Sequence, residues 1–188
     1  MNIRTKIACA VSLLIGVSAP GLARAQAANV ASFLNTANQM NGEEQDEAKE
    51  LRSKAGDNQA LVTMADTLTQ DHKANQSALE SLAKQENVTL DSYKPNKIEQ
   101  DRLDNLKGAE FNHEFLTANI RDHKKALATF KKAKVEMAGD PNVKVYIDQT
   151  IPVLESHLKM AENLRHDDKV MGSAENLRII NQTKNRAG

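Results

Sequence analysis

An all-α fold, an antiparallel four-helix bundle with a polar C-terminal tail, is what this sequence predicts, on three observations. Ala, Leu, Lys, Asn, Gln and Glu dominate the 188 residues, Trp is absent and Tyr and Phe together number six. That is a helix-former composition, short of the β-branched and aromatic residues that strands prefer. Apolar residues recur at steps of three and four through most of the chain, and no window alternates with period two. Stop and start signals then cut the periodic stretches into four.

The first 25 residues are a separate element. Arg4 and Lys6 precede the apolar run Ile7–Ala19, and Ala23-Arg24-Ala25 follows. A basic start, an apolar middle and an A-x-A site are the layout of a secretory signal peptide. The run is too short for a membrane span, which needs about 20 residues. Cleavage after Ala25 takes 25 residues from 188 and leaves 163, and it removes Cys9, the single cysteine. With Arg4, Lys6 and Arg24 gone, 22 basic side chains face 25 acidic ones, a net −3. The expected location is the periplasm, with no transmembrane segment. A cysteine-free mature chain excludes disulfides, thiolate metal sites and cysteine nucleophiles. The negative balance, without a basic block, argues against nucleic acid as partner. At this length one domain is expected, 26–167, followed by a mobile polar tail at 168–188.

Within that domain the first helix is expected near 29–54, with Gly42 as a candidate break. Gly56-Asp57 reads as a stop and an N-cap, opening a second helix near 57–87 whose stripe is Leu61, Met64, Leu68, His72, Asn75, Leu79 and Leu82. After a loop at 88–96, Asn96 with Glu99 three residues on resembles a capping box. It starts a third helix near 97–138, striped by Leu106, Ala109, His113, Leu116, Ile120, His123, Leu127 and Phe130. Gly139-Asp140-Pro141 supplies a stop, a cap and a first-turn Pro for a fourth helix near 141–166, striped by Ile147, Ile151, Leu154, Leu158 and Ala161. Pro152 lies inside that helix and cannot donate to the Asp148 carbonyl, so a bend is expected there. Short turns make helices 1–2 and 3–4 hairpins, the pattern of a four-helix bundle.

No phosphate loop, G-x-S-x-G elbow or H-E-x-x-H occurs, so the five His are the informative residues. At 100° per residue, His72 and His123 fall within their stripes, His157 flanks the helix 4 stripe and His113 sits at an edge, while His166 lies beside the tail. His72 is 15 residues after Asp57 and His157 is 16 after Pro141, about 22 and 24 Å along their axes. His123 is 16 residues before Gly139, about 24 Å from the same end. Three imidazoles at one height can hold zinc, copper or, with added carboxylates, iron. The alternative is a hydrogen-bonded polar centre with Asp71 and Asp122. On helix 1, Glu44 lies in the stripe and Glu47 on its flank, and either could supply an acid ligand. Glu110-x-x-His113 has the spacing of di-iron bundles, but no second copy exists, so a di-iron enzyme is the least favoured reading.

Several of these residues carry a resemblance. Asp71-His72 with Asn75, Phe111 with His123, Asp140-Pro141, and the run Ile151-Pro152-Val153-Leu154-Glu155-Ser156-His157-Leu158-Lys159-Met160-Ala161 keep the order and spacing of the domain of unknown function family 4142. The match covers roughly residues 30–165. The chain departs from the pattern at Asn112 and Phe115, where the family has Asp and Tyr. On helix 1 only Gln45, Glu47 and Leu51 follow it, with Lys49 and Arg52 for Gly and Ala. The resemblance implies a ferritin-like helical bundle and export, with the label of a bacterial outer-membrane protein and no assigned activity. Two functions follow as expectations. One is a periplasmic bundle that binds a transition metal through His72, His123 and His157, with Glu47 as the candidate acid, and that is not an enzyme. The other is a non-metal structural or envelope-stress protein of the same fold, with a protein or envelope partner.

Overall fold

The computed structural model describes the backbone of residues 20–186 and the side chains of residues 24–167. Most of the expected signal peptide, residues 1–19, lies outside the described residues. The described chain is all-α: α1 Pro20–Lys54, α2 Gln59–Gln85, α3 Lys97–Asp104, α4 Gly108–Glu136 and α5 Pro141–Arg186. Among the described residues no helix is long and apolar enough to cross a membrane.

Five helices replace the expected four because the third is split. Gly108 takes φ +56°, a left-handed conformation that breaks the helical path between α3 and α4. The last helix, expected to end near 166, continues through Arg186. The polar segment 168–186 is therefore helical backbone, with no Pro to interrupt it. Residues 187–188 lie outside the described residues.

The caps follow the sequence with one correction. At α2 the capping side chain is that of Asn58, not Asp57: its Oδ1 accepts from the N–H groups of Ala60 and Leu61, both at 3.2 Å. Gly56 at φ +55° turns the chain first. Asn96 Oδ1 accepts from Glu99 N–H at 3.3 Å, and Asp140 Oδ1 from the N–H groups of Asn142 and Val143 at 3.1 Å each. Pro152 sits on an exposed face, and α5 runs through it without interruption.

The core is two apolar clusters separated by a polar layer. In one, Phe33, Leu34, Leu79, Leu82, Phe130 and Ile147 pack together, so the first half of α1 meets the second halves of α2 and α4 and the first half of α5. In the other, Leu51, Met64, Leu68, Phe111 and Phe115 meet from the opposite halves of α1, α2 and α4, with Ala161 farther along α5. Neighbours in each cluster thus run antiparallel. Between the clusters lie Asn38, Asn41 and Glu44 from α1, His72 from α2, Asn119 and His123 from α4, and Thr150 and His157 from α5, all buried.

Gly42 does not break α1. Its hydrogen stands where a Cβ would meet the Tyr93 ring at 2.4–2.8 Å. The connection 86–96 is strapped across α1 at this point by amides. Asn35 Oδ1 accepts from Asp91 N–H, Asn38 Nδ2 donates to Asp91 O, and Gln39 pairs with both backbone groups of Lys94. Tyr93 Oη donates to Asp46 Oδ2 at 2.9 Å, so the ring is held at both ends. In an ordinary helix interior Gly→Ala gains about 1 kcal/mol. Here Gly42→Ala should instead lose about 1–3 kcal/mol by overpacking. Urea unfolding would read this as a lower midpoint, and Tyr93→Ala in the same background should remove the penalty of the added methyl. A raised midpoint in the single variant would show that the ring moves aside.

Candidate metal centre

His72, His123 and His157 come from α2, α4 and α5, and one ring nitrogen of each lies within 4.8 Å of those of the other two. The rings are 5.3–6.1 Å apart by centroid. They meet because each is placed by helical periodicity on the inner side of its helix, at the height where the two apolar clusters part.

Two of the rings have their outer nitrogen fixed as a donor. His157 Nε2 donates to Asp71 Oδ2 at 2.9 Å, which leaves Nδ1 as a lone pair turned inward. His72 Nδ1 faces Asn41 Oδ1 at 2.9 Å. Asn41 is itself oriented, since its Nδ2 donates to the His72 carbonyl and to Gln76 Oε1. Its Oδ1 therefore accepts, His72 Nδ1 carries the proton, and His72 Nε2 is a bare lone pair. That Nε2 is buried and has no hydrogen-bond partner. Such an atom costs on the order of 1–3 kcal/mol unless something satisfies it.

His123 stands between two surroundings. Its Nδ1 lies 3.0 Å from the Asn119 carbonyl and 3.3 Å from Glu44 Oε1, and its Nε2 lies 3.3 Å from His157 Nδ1. With the proton on Nδ1, held by the Asn119 carbonyl, three lone pairs face one another, an arrangement that a bound cation satisfies. With the proton on Nε2, it can be donated to His157, and Nδ1 can accept from a protonated Glu44.

The electrostatics keep His72, His123 and Glu44 neutral without metal. Burial holds His72 well below the ordinary imidazole range, helped by His157 and His123. Burial also pushes His123 down to about 4, with His157 adding to it, against the Asn119 carbonyl and Asp122. Neutral imidazole is the ligand form. Glu44 is raised well above the carboxylate range, by burial first and then by Glu47, Asp122 and Glu43. Its contacts with His72 at 4.0 Å and His123 at 3.3 Å are therefore not ion pairs in the metal-free protein.

Glu47 stands apart from the three-ring group. It lines the same cavity as Glu44 and His72, its Oε2 is buried without a partner, and burial with Asp122, Glu99 and Glu43 raises its carboxyl to about 8. The carboxyl in contact with the rings is that of Glu44, one helical turn earlier. His113 is half-buried outside the group, Glu110 is exposed, and His166 is exposed beside Asp167, so the E-x-x-H spacing builds no site. Two further residues of the centre, Asn41 and Asn119, do not stand out in the sequence. Asn119 leaves a signal, four residues before His123 on the same stripe; Asn41 acts through a contact between helices that no local pattern reveals.

A family model described as "Domain of unknown function (DUF4142)" matches residues 17–164. The chain belongs to the DUF4142 family. All three His of the cluster, and Glu44 and Asp71 beside them, lie inside the matched span of this DUF4142 domain. No curated protein and no solved structure gives a significant match.

Proposed function

We propose that this DUF4142 chain is an exported, periplasmic four-helix bundle of ferritin-like type that binds a transition-metal ion through His72, His123 and His157, as a binding protein and not an enzyme. The observation that carries the reading is the buried His72 Nε2, a lone pair with no partner, beside two more imidazoles whose nitrogens lie within 4.8 Å. The donor set fits the group: neutral imidazoles suit zinc and copper, and nearby carboxylates extend the range to ferrous iron. Asp71 behind His157 is the carboxylate support that metal-bound His ordinarily has.

A second reading has its own observation. Glu44, His123, His157 and Asp71 form one chain at 3.3, 3.3 and 2.9 Å, which protons alone can satisfy. That chain leaves His72 Nε2 unsatisfied, which is why the metal reading ranks first.

Metal analysis of protein purified without tag or chelator, followed by titration of zinc, copper(II) and ferrous iron, separates the two. The wild type should bind one of them with 1:1 stoichiometry, and the His72→Ala/His123→Ala variant should not. Equal weak binding by both proteins would sink the metal reading and leave the hydrogen-bonded core. Asp71→Asn should keep the helical circular dichroism yet weaken metal binding about 10–100-fold, the usual effect of removing such a support. An unchanged affinity would mean that Asp71 only solvates His157. Export rests on the Arg4/Lys6 start, the Ile7–Ala19 run and Ala23-Arg24-Ala25. Material released by osmotic shock should begin at Gln26, and an intact Met1 on it would overturn export.

A further inference from the structure

Glu44 is the carboxyl that the metal reading leaves without a role, and its surroundings are hard to explain otherwise. It is buried, 7% exposed, in the middle of α1. Among the described residues no lysine or arginine pairs with it; its charged-type contacts are His72 and His123 alone. Glu43, Glu47 and Asp122 add like charge around it. A buried carboxyl in that setting is costly unless a cation or several donors meet it. Only one donor does: Asn119 Nδ2, at 3.2 Å from Oε2.

The geometry supplies the rest. Glu44 Oε2 lies 4.0 Å from His72 Nε2, too far for a hydrogen bond. Metal–imidazole and metal–carboxylate bonds are each about 2.0–2.2 Å, so two of them span roughly 4.0–4.4 Å when opposed and less when bent. The gap between these two acceptors is thus the size of one ion, and closing it to a tetrahedral angle needs a shift of well under about 1 Å. Glu44 is not required to hold His123, because the Asn119 carbonyl lies nearer to His123 Nδ1, at 3.0 Å against 3.3 Å.

We propose that Glu44 is the fourth ligand of the centre, closing a set of three imidazoles and one carboxylate drawn from α1, α2, α4 and α5. The inference rests on the metal-binding reading above. It assigns a ligand class, three nitrogens and one oxygen, which suits a four-coordinate divalent ion, zinc foremost. It also assigns a role. Sites that catalyse keep a coordination position open for water or substrate, whereas a site filled by four side chains holds its ion. The centre is therefore one for storage, transfer or structural support.

Cobalt(II) is the probe, because its visible absorption reports coordination number. Wild-type protein should give the intense bands of a four-coordinate ion. Glu44→Gln should still bind cobalt, at least about 10-fold more weakly, no less than loss of an outer support costs, and with weaker bands of higher coordination as water enters. Identical spectra in the two proteins overturn the proposal, whether or not affinity falls, since a fall alone marks Glu44 as an outer hydrogen-bond partner. Wild type that binds neither cobalt nor zinc overturns the metal reading itself. Should Glu44→Gln fail to fold, isotope-edited infrared of wild type with carbon-13 glutamate decides. Zinc should then shift one glutamate carboxyl band, and an unchanged glutamate spectrum on zinc binding rejects Glu44 as ligand.

Discussion

Zinc at a free concentration 1,000 times its dissociation constant should stabilise the protein by about 4 kcal/mol, because the unfolded chain does not gather the three imidazoles. For a domain of this size that is a rise of roughly 8–16 °C in Tm. The rise should depend on zinc concentration and vanish with chelator. In His72→Ala/His123→Ala it should be absent, since the ring that keeps a bare Nε2 and the ring between Glu44 and His157 are both gone. Differential scanning calorimetry with and without zinc would measure it. A shift of equal size in both proteins would place zinc elsewhere on the surface.

The metal-free protein should lose stability as pH rises above about 6.5. Four buried groups set this. Glu44 and Glu47 have folded values above the unfolded carboxylate value, so their contribution is present below about 4.5 and lost as pH rises, for Glu47 through about 8. His72 and His123 have folded values below the unfolded imidazole value, so theirs is present above about 6.5 and lost as pH falls, for His123 through about 4. Between about 4.5 and 6.5 the two pairs act in opposite directions. Above 6.5 the unfolded His are neutral and only the acids act; Glu47, whose carboxyl titrates near 8 in the folded protein, removes about 1.4 kcal/mol per pH unit, and Glu44 acts in the same direction. In Glu47→Gln the alkaline slope should be shallower by about 1.4 kcal/mol per pH unit. Urea midpoints at pH 5.5, 6.5 and 7.5, in chelator, would show it. An alkaline limb of the same slope in both proteins would remove Glu47 from the explanation.

Much of the centre's placement is legible in the amino-acid sequence. Helical periodicity puts His72 and His123 inward, and the 15- and 16-residue offsets from Asp57, Gly139 and Pro141 put all three rings at one height, because rise per residue is nearly constant in a helix. Periodicity sets Glu44 in the stripe of helix 1 and Glu47 on its flank, but that difference does not say which carboxyl meets the rings. The two acids are three apart and share a face of α1, and the choice depends on how α1 is rotated against α4, which only packing decides. The split at Gly108 is hidden for a different reason. A single Gly is tolerated inside a helix, and the positive φ that makes it a break is not written in the spacing. Gly42 misleads in the opposite sense, serving the Tyr93 ring and not a break. The polar residues Asn35, Asn38 and Gln39 look like solvated surface, yet they hold a loop more than 50 positions away.

The polar layer between the two apolar clusters also governs alignment. A bundle lined throughout by Leu, Phe and Ala would accept a helix displaced along its axis by one turn, about 5.4 Å, at modest cost. Here the same displacement of α5 would carry His157 away from Asp71 and His123 and set it among Leu and Phe side chains of one cluster or the other. Buried polar residues at a single level are known to select one pairing of helices at the expense of stability. Replacing the layer with leucines, His72, His123, His157 and Glu44 together, should therefore leave a chain that is at least as hard to unfold but no longer has one alignment. Its amide NMR signals should broaden or multiply where those of the native chain are single. Sharp, single resonances in that variant would show that the turns and the strapped loop at 86–96 fix the alignment unaided.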